Sequence, residues 1–98
     1  MTDYFAGPVF QADCAAILGL MVAARGTGQW HTRELRAAIE DCARHARAAG
    51  APPERLIVEL KAFLQSRAVA EVGTWFRDVL LDRAVSWAIQ AYYGVRDT

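Results

Sequence analysis

Apolar residues recur at helical spacing along most of the chain, and short turns separate four such runs. The first helix is predicted to begin at Pro8, because the fixed φ of proline suits a first helical turn. It is predicted to end near Arg25, with Gly26 as the stop. Its apolar face is predicted to be core and comprises Val9, Phe10, Cys14, Ile17, Leu18, Met21 and Val22.

The second run is the clearest amphipathic pattern. Thr32 can cap a helix whose positive end Glu34 complements, and Gly50 is predicted to stop it. The apolar seam recurs at steps of three and four and comprises Leu35, Ile39, Cys42, Ala46 and Ala49. The opposite face is charged and comprises Arg33, Arg36, Glu40, Arg44 and Arg47.

The third helix is predicted to open at Pro52 and Pro53, with Glu54 supporting its dipole, and to end near Arg67. Its buried stripe is Leu56, Ile57, Leu60, Phe63 and Leu64. Ile57 and Val58 are β-branched, but the apolar residues around them keep the helical period. No strand is predicted anywhere in the chain.

The fourth helix is predicted to begin at Val69, or at Thr74 after Gly73, and to end at Gly94. One polar stripe runs along it at steps of four, and most of the remaining circumference is apolar. A helix of this kind must be covered on more than one side. Two explanations stay open: the fourth helix is central to the domain, or part of its surface meets another chain.

These elements predict an all-α fold, a compact four-helix bundle that forms a single helical domain over residues 1–98 and that homodimerisation could complete. Aromatic residues that combine apolar area with a polar group are enriched at interfaces. The predicted interface residues are Trp75, Phe76, Trp87, Tyr92 and Tyr93. The alternative is that these aromatic side chains fill the core.

Composition limits the kind of partner. A chain of 98 residues can form one core, and 19 of its apolar residues are alanines, which favour helix more than they add hydrophobicity. Eleven basic residues balance eleven acidic ones. The chain therefore has no overall field that attracts nucleic acid or an anionic membrane, and any charge-driven binding must be local.

The apolar stretches predict neither a secretory signal nor a membrane span. No basic residue precedes the first apolar run, and the longest uncharged stretch, Cys14 to Ala24, has 11 residues against the roughly 20 that a span needs. We expect a cytoplasmic protein. Its two cysteines, Cys14 and Cys42, lie on apolar helix faces and are predicted to be reduced and buried.

No constellation of residues predicts a metal, a cofactor or catalysis. Cys42 and His45 are three apart beside Asp41, with Cys14 and His31 as possible partners, but a structural zinc site normally has two paired motifs. No nucleophile has a histidine and an orienting group in evident register. We therefore expect no catalytic residues, no bound cofactor or metal and no enzymatic activity.

The charged face of the second helix is the local basic patch. Its possible contacts to an anion or nucleic acid are Arg33, Arg36, Arg44 and Arg47. Glu40 lies four residues from two of these arginines, a spacing that favours ordinary surface pairing. The third helix is too apolar to read base edges as the second half of a helix-turn-helix, so we do not expect nucleic acid as the partner.

The function predicted by elimination is association with a protein. We expect a non-enzymatic interaction or accessory protein whose partner is itself, as a homo-oligomer, or another protein that it serves as adaptor or subunit. One alternative is a nucleic-acid-associated regulator that uses the arginine face. The other is a small metal-binding protein or enzyme.

Overall fold

A computed structural model describes residues 3–27, 32–68 and 74–94. Its four α-helices are α1 (Pro8–Thr27), α2 (Thr32–Ala48), α3 (Pro53–Phe63) and α4 (Thr74–Tyr93). A 3-10 turn, Tyr4–Ala6, precedes α1, and a π-helical turn, Leu64–Ala68, continues α3. The described residues contain no strand. The predicted all-α, four-helix arrangement is confirmed.

The helix ends follow the proline and glycine signals with one exception. Gly50 and Gly94 follow α2 and α4 with φ of 79° and 70°, conformations that glycine adopts without a Cβ penalty. Gly26 was predicted to stop α1, but the helix continues to Thr27. A glycine inside a helix costs only about 1 kcal/mol relative to alanine, so it does not by itself end one. The alternative start of the fourth helix at Val69 lies outside the described residues.

Helix α2 is the central element. Its most extensive contacts are with α1 and with α4, whereas α3 packs mainly against α4. Polar bonds reinforce both contacts. The His45 imidazole Nδ1 lies 2.9 Å from Asp13 Oδ2 on α1, and Arg47 Nη1 donates to the Tyr92 carbonyl of α4 at 2.9 Å. The fourth helix therefore covers one side of α2 instead of forming the centre itself.

The buried core follows the predicted stripes. Its largest fully buried side chains are Ile17, Met21, Leu35, Ile39, Leu56, Leu60 and Leu64. Three predicted core residues are exposed: Val9, Val22 and Ala49. The two valines each lie next to a buried residue of α1 and are rotated from it by about 100°, which places them at the margins of the stripe. Ala49 lies beyond the end of α2.

The N-terminal turn is attached to α3 by charge and to α1 by apolar contact. Arg55 donates to Asp3 Oδ2 at 2.6 Å, and its guanidinium lies 5.1 Å from the centre of the Phe5 ring. The Arg55 guanidinium holds the pKa of the Asp3 carboxyl below its usual value. Phe5 in turn packs edge-on against Phe10 of α1, with ring centres 5.0 Å apart.

Both thiols are buried and unbridged, as the sequence predicts. Cys14 lies on α1 and Cys42 on α2, and each is at most 1% exposed. Burial disfavours the thiolate, so it raises the pKa of Cys14 to about 11 and that of Cys42 further still. The same effect raises the pKa of the neighbouring Tyr4 hydroxyl to about 12.

These buried thiols predict that alkali destabilises the fold. Because folding raises the pKa of each thiol, the native state keeps a proton that the unfolded state releases at the same pH. The contribution to stability is therefore complete below the ordinary thiol value of 9.0 and is lost as the pH rises through about 11. The expected slope is about 1.4 kcal/mol per pH unit for each thiol.

Urea denaturation at pH 8 and at pH 11 measures this loss, and Cys42→Ala provides the comparison. The variant begins from a lower stability because it leaves a cavity, but its stability should fall less steeply with pH. An equal loss of unfolding free energy with pH in the two proteins would contradict the assignment of part of this loss to the Cys42 thiol.

Candidate functional site

The predicted aromatic interface divides into buried and exposed members. Trp87 is 9% exposed and belongs to the core, whereas Tyr93 is 58% exposed. The hydroxyl of Tyr92, which is half-buried, donates to the Ala51 carbonyl at 2.6 Å and so connects α4 to the segment before α3. The side chains of Trp75 and Phe76 lie outside the part of the chain that the structure describes. Of the predicted residues that are described, Tyr93 is thus the one presented to solvent.

An apolar surface surrounds Tyr93. Ile89 lies one turn earlier on α4 and is 41% exposed, and both side chains border a shallow hollow of about 180 Å³. Its other walls are Pro53, Glu54 and Ile57 of α3. Val58 follows on the outer side of α3 and is 63% exposed, the largest value among the exposed apolar residues described. We call this surface the α3–α4 face, comprising Glu54, Ile57, Val58, Lys61, Ile89 and Tyr93.

The α3 part of this face has an ordered charge pattern. Glu54, Ile57, Val58 and Lys61 follow one another at steps of three, one and three, so that an acid and a base flank two apolar residues. Residues at this spacing share one side of a helix. Among the described residues, neither Glu54 nor Lys61 has a hydrogen bond or an ion pair. Both charges are therefore available to groups outside the chain.

The arginine face of α2 does not form one continuous patch. Arg44 pairs with Asp41 on its own helix. Arg47 lies at the carboxyl end of α4, where the helix dipole stabilises a positive charge. Arg33 and Arg36 lie elsewhere, in a groove between α2 and α4. Of the four predicted anion contacts, Arg44 and Arg47 thus make bonds within the chain, whereas Arg33 and Arg36 line the groove.

This α2–α4 groove has a volume of about 460 Å³. It is lined by Arg33, Arg36, Ala37 and Glu40 of α2 and by Arg83 and Trp87 of α4. Arg36 Nε lies 3.4 Å from Glu40 Oε2, and its guanidinium is 5.9 Å from the centre of the Trp87 ring. Arg33 and Arg83 have no hydrogen bond or ion pair within the described residues. Sequence reasoning missed Arg83 as a contact because it comes from a different helix.

The residues considered for metal binding do not converge. Cys42 is fully buried, whereas His45 is exposed and bonded to Asp13, and Asp41 is paired with Arg44. His31 lies outside the described residues. Within the described ranges, no group of three or more His, Cys, Asp or Glu side chains could hold a metal ion. None of the helices in these ranges combines the length and the hydropathy that a membrane span requires.

Comparison of the chain with protein-family models, with curated proteins and with solved structures finds no match in any of the three. An inference about function therefore depends on the chain's own surfaces, of which the α3–α4 face and the α2–α4 groove are the two candidates.

Tyr92 and Tyr93 are adjacent in sequence, and substituting each of them tests whether Tyr92 supports the fold while Tyr93 belongs to the surface. Tyr92→Phe removes the hydrogen bond to the Ala51 carbonyl and should lower the free energy of unfolding by about 1 kcal/mol. Tyr93→Phe removes an exposed hydroxyl and should change it by less than about 0.5 kcal/mol. Urea denaturation at low protein concentration measures both values. Equal changes in the free energy of unfolding would contradict the assignment of a structural hydrogen bond to Tyr92 alone.

Proposed function

We propose that this protein acts by non-enzymatic association, as a small interaction or accessory protein, and that its partner on the α3–α4 face is a second copy of the chain. The observation that carries the proposal is the charge order of α3. When the helix is turned by 180° about an axis between Ile57 and Val58, Glu54 exchanges places with Lys61. The face is therefore complementary to itself.

A two-fold dimer uses this property directly. Two antiparallel copies of α3 bring Glu54 opposite the partner's Lys61, and the reverse, while the two apolar residues meet their own copies near the axis. Such isologous contacts are the commonest kind in soluble oligomers. The seven residue steps from Glu54 to Lys61 span about 10 Å of helix, so the two ion pairs would flank a narrow apolar centre.

Helix α4 widens this centre. Ile89 and Tyr93 lie beside Ile57 across the shallow hollow, and exposed tyrosines often supply much of the energy of an interface. Asp82 and Ser86 are exposed on the same side of α4 and would form a polar rim. A stable interface buries about 800 Å² of each partner, so the α3–α4 face would be its centre and not its whole extent.

Charge exchange tests this arrangement. Glu54→Lys alone and Lys61→Glu alone each place like charges opposite one another and should weaken the dimer at least tenfold. The double variant restores opposite charges and should recover assembly. Light scattering over a concentration series gives the mass of each protein, and the unsubstituted chain should approach twice its 10.8 kDa.

Glu34→Lys is the matched control. Glu34 is also an exposed acid in the first turn of a helix, so the substitution makes the same charge change and the same change at a helix dipole, but away from the α3–α4 face. Its dimer should be unaffected. A monomer at every concentration of the unsubstituted chain, or a double variant that does not recover, would contradict the proposal.

A further inference from the structure

The α2–α4 groove presents a different chemistry from the α3–α4 face. We infer that it binds a small phosphomonoester, a dianion attached to a hydroxylated organic group. The juxtaposition that leads to this inference is that three arginines from two helices line one groove, whose described lining includes one carboxylate, that of Glu40.

The arrangement of charges favours an anion. Arg33 and Arg36 come from α2 and Arg83 from α4, and like charges gathered in one concave site raise the local positive potential. Glu40 offsets part of the charge of Arg36, which also lies against the Trp87 ring. Arg33 and Arg83 have no such partner among the described residues. Two guanidinium groups therefore remain to be neutralised.

A phosphomonoester matches this requirement better than a monocarboxylate. It carries a charge of about −1.5 to −2 at pH 7 and has three strong acceptor oxygens. The planar donor fork of arginine fits two oxygens of one phosphate at once, and two arginines on opposite walls can hold it from both sides. A carboxylate has one charge and would leave one arginine without compensation.

Glu40 selects for the organic part of the ligand. Its carboxylate lies in the same groove, accepts from Arg36 through one oxygen and repels a second phosphate. Its remaining acceptor capacity suits a hydroxyl donor. The groove volume of about 460 Å³ is within the range of small-molecule sites, roughly 300–1,000 Å³. The fitting class is thus a small phosphorylated polyol.

The extent of the positive surface favours a small ligand over nucleic acid. Binding to a nucleic-acid backbone requires basic side chains along several successive phosphates. Further along α2, Arg44 is paired with Asp41 and Arg47 donates to the Tyr92 carbonyl. Among the described arginines of α2 and α4, the two without an ion pair or hydrogen bond, Arg33 and Arg83, therefore both lie in the groove.

Calorimetric titration of the full chain with glycerol 3-phosphate tests the inference at pH 7.5 and low salt. We expect saturable binding of one molecule per chain, and inorganic phosphate should bind at least threefold more weakly because it lacks the organic hydroxyls. Arg33→Met and Arg83→Met should each weaken binding at least tenfold. Both side chains are exposed, so circular dichroism should show unchanged folding. Arg44→Met, which removes an equal charge outside the groove, should bind as the unsubstituted chain does.

Three outcomes would overturn the inference. One is the absence of binding at 10 mM glycerol 3-phosphate. Another is equal weakening by Arg44→Met and Arg83→Met, which would indicate attraction by overall charge. The third is tight, steeply salt-dependent binding of a short DNA duplex that Arg44→Met and Arg47→Met also weaken, since this would assign the surface to nucleic acid.

Discussion

The position of α2 between α1 and α4 is the constraint on which the rest of the structure depends. Its apolar seam is buried by both neighbours, and a polar bond secures each margin: His45 with Asp13 on one side and Arg47 with the Tyr92 carbonyl on the other. A helix that is buried along one side and bonded at both edges fixes the rotation of its neighbours. The orientation of α4 therefore follows from α2.

Both candidate surfaces follow from this orientation. Helix α4 presents Ala84 and Ala88 to the core, where small side chains permit close approach of neighbouring helices. Helices α2 and α3 then cover two of its sides and leave the remainder of an apolar circumference exposed as Ile89 and Tyr93. At the margin with α2, the same rotation brings Arg83 to the arginines of α2 and creates the groove.

Much of the fold could be predicted from the sequence because α2 and α3 have strongly periodic apolar stripes and clear proline and glycine boundaries. The structure differs from the prediction where a single residue does not decide the outcome: Gly26 does not end α1, and Val9 lies at the exposed margin of its stripe. The candidate sites were less predictable. Tyr92 and Tyr93 are neighbours in sequence, and their side chains differ by a rotation of about 100° about the helix axis. The packing of α4 makes Tyr92 the hydrogen-bonded residue and Tyr93 the exposed one, which the sequence alone does not decide.

In the proposed dimer, α3 meets its own copy in antiparallel orientation, and cross-linking through Val58 tests this arrangement most directly. In the proposed dimer this residue lies next to the two-fold axis, within the roughly 7 Å between Cα atoms that a disulfide can bridge. Under mild oxidation, Val58→Cys should form a covalent dimer at least tenfold faster than Ala23→Cys, a substitution at an exposed position on α1. The native thiols are buried and should not compete. Equal rates for the two variants would contradict the account.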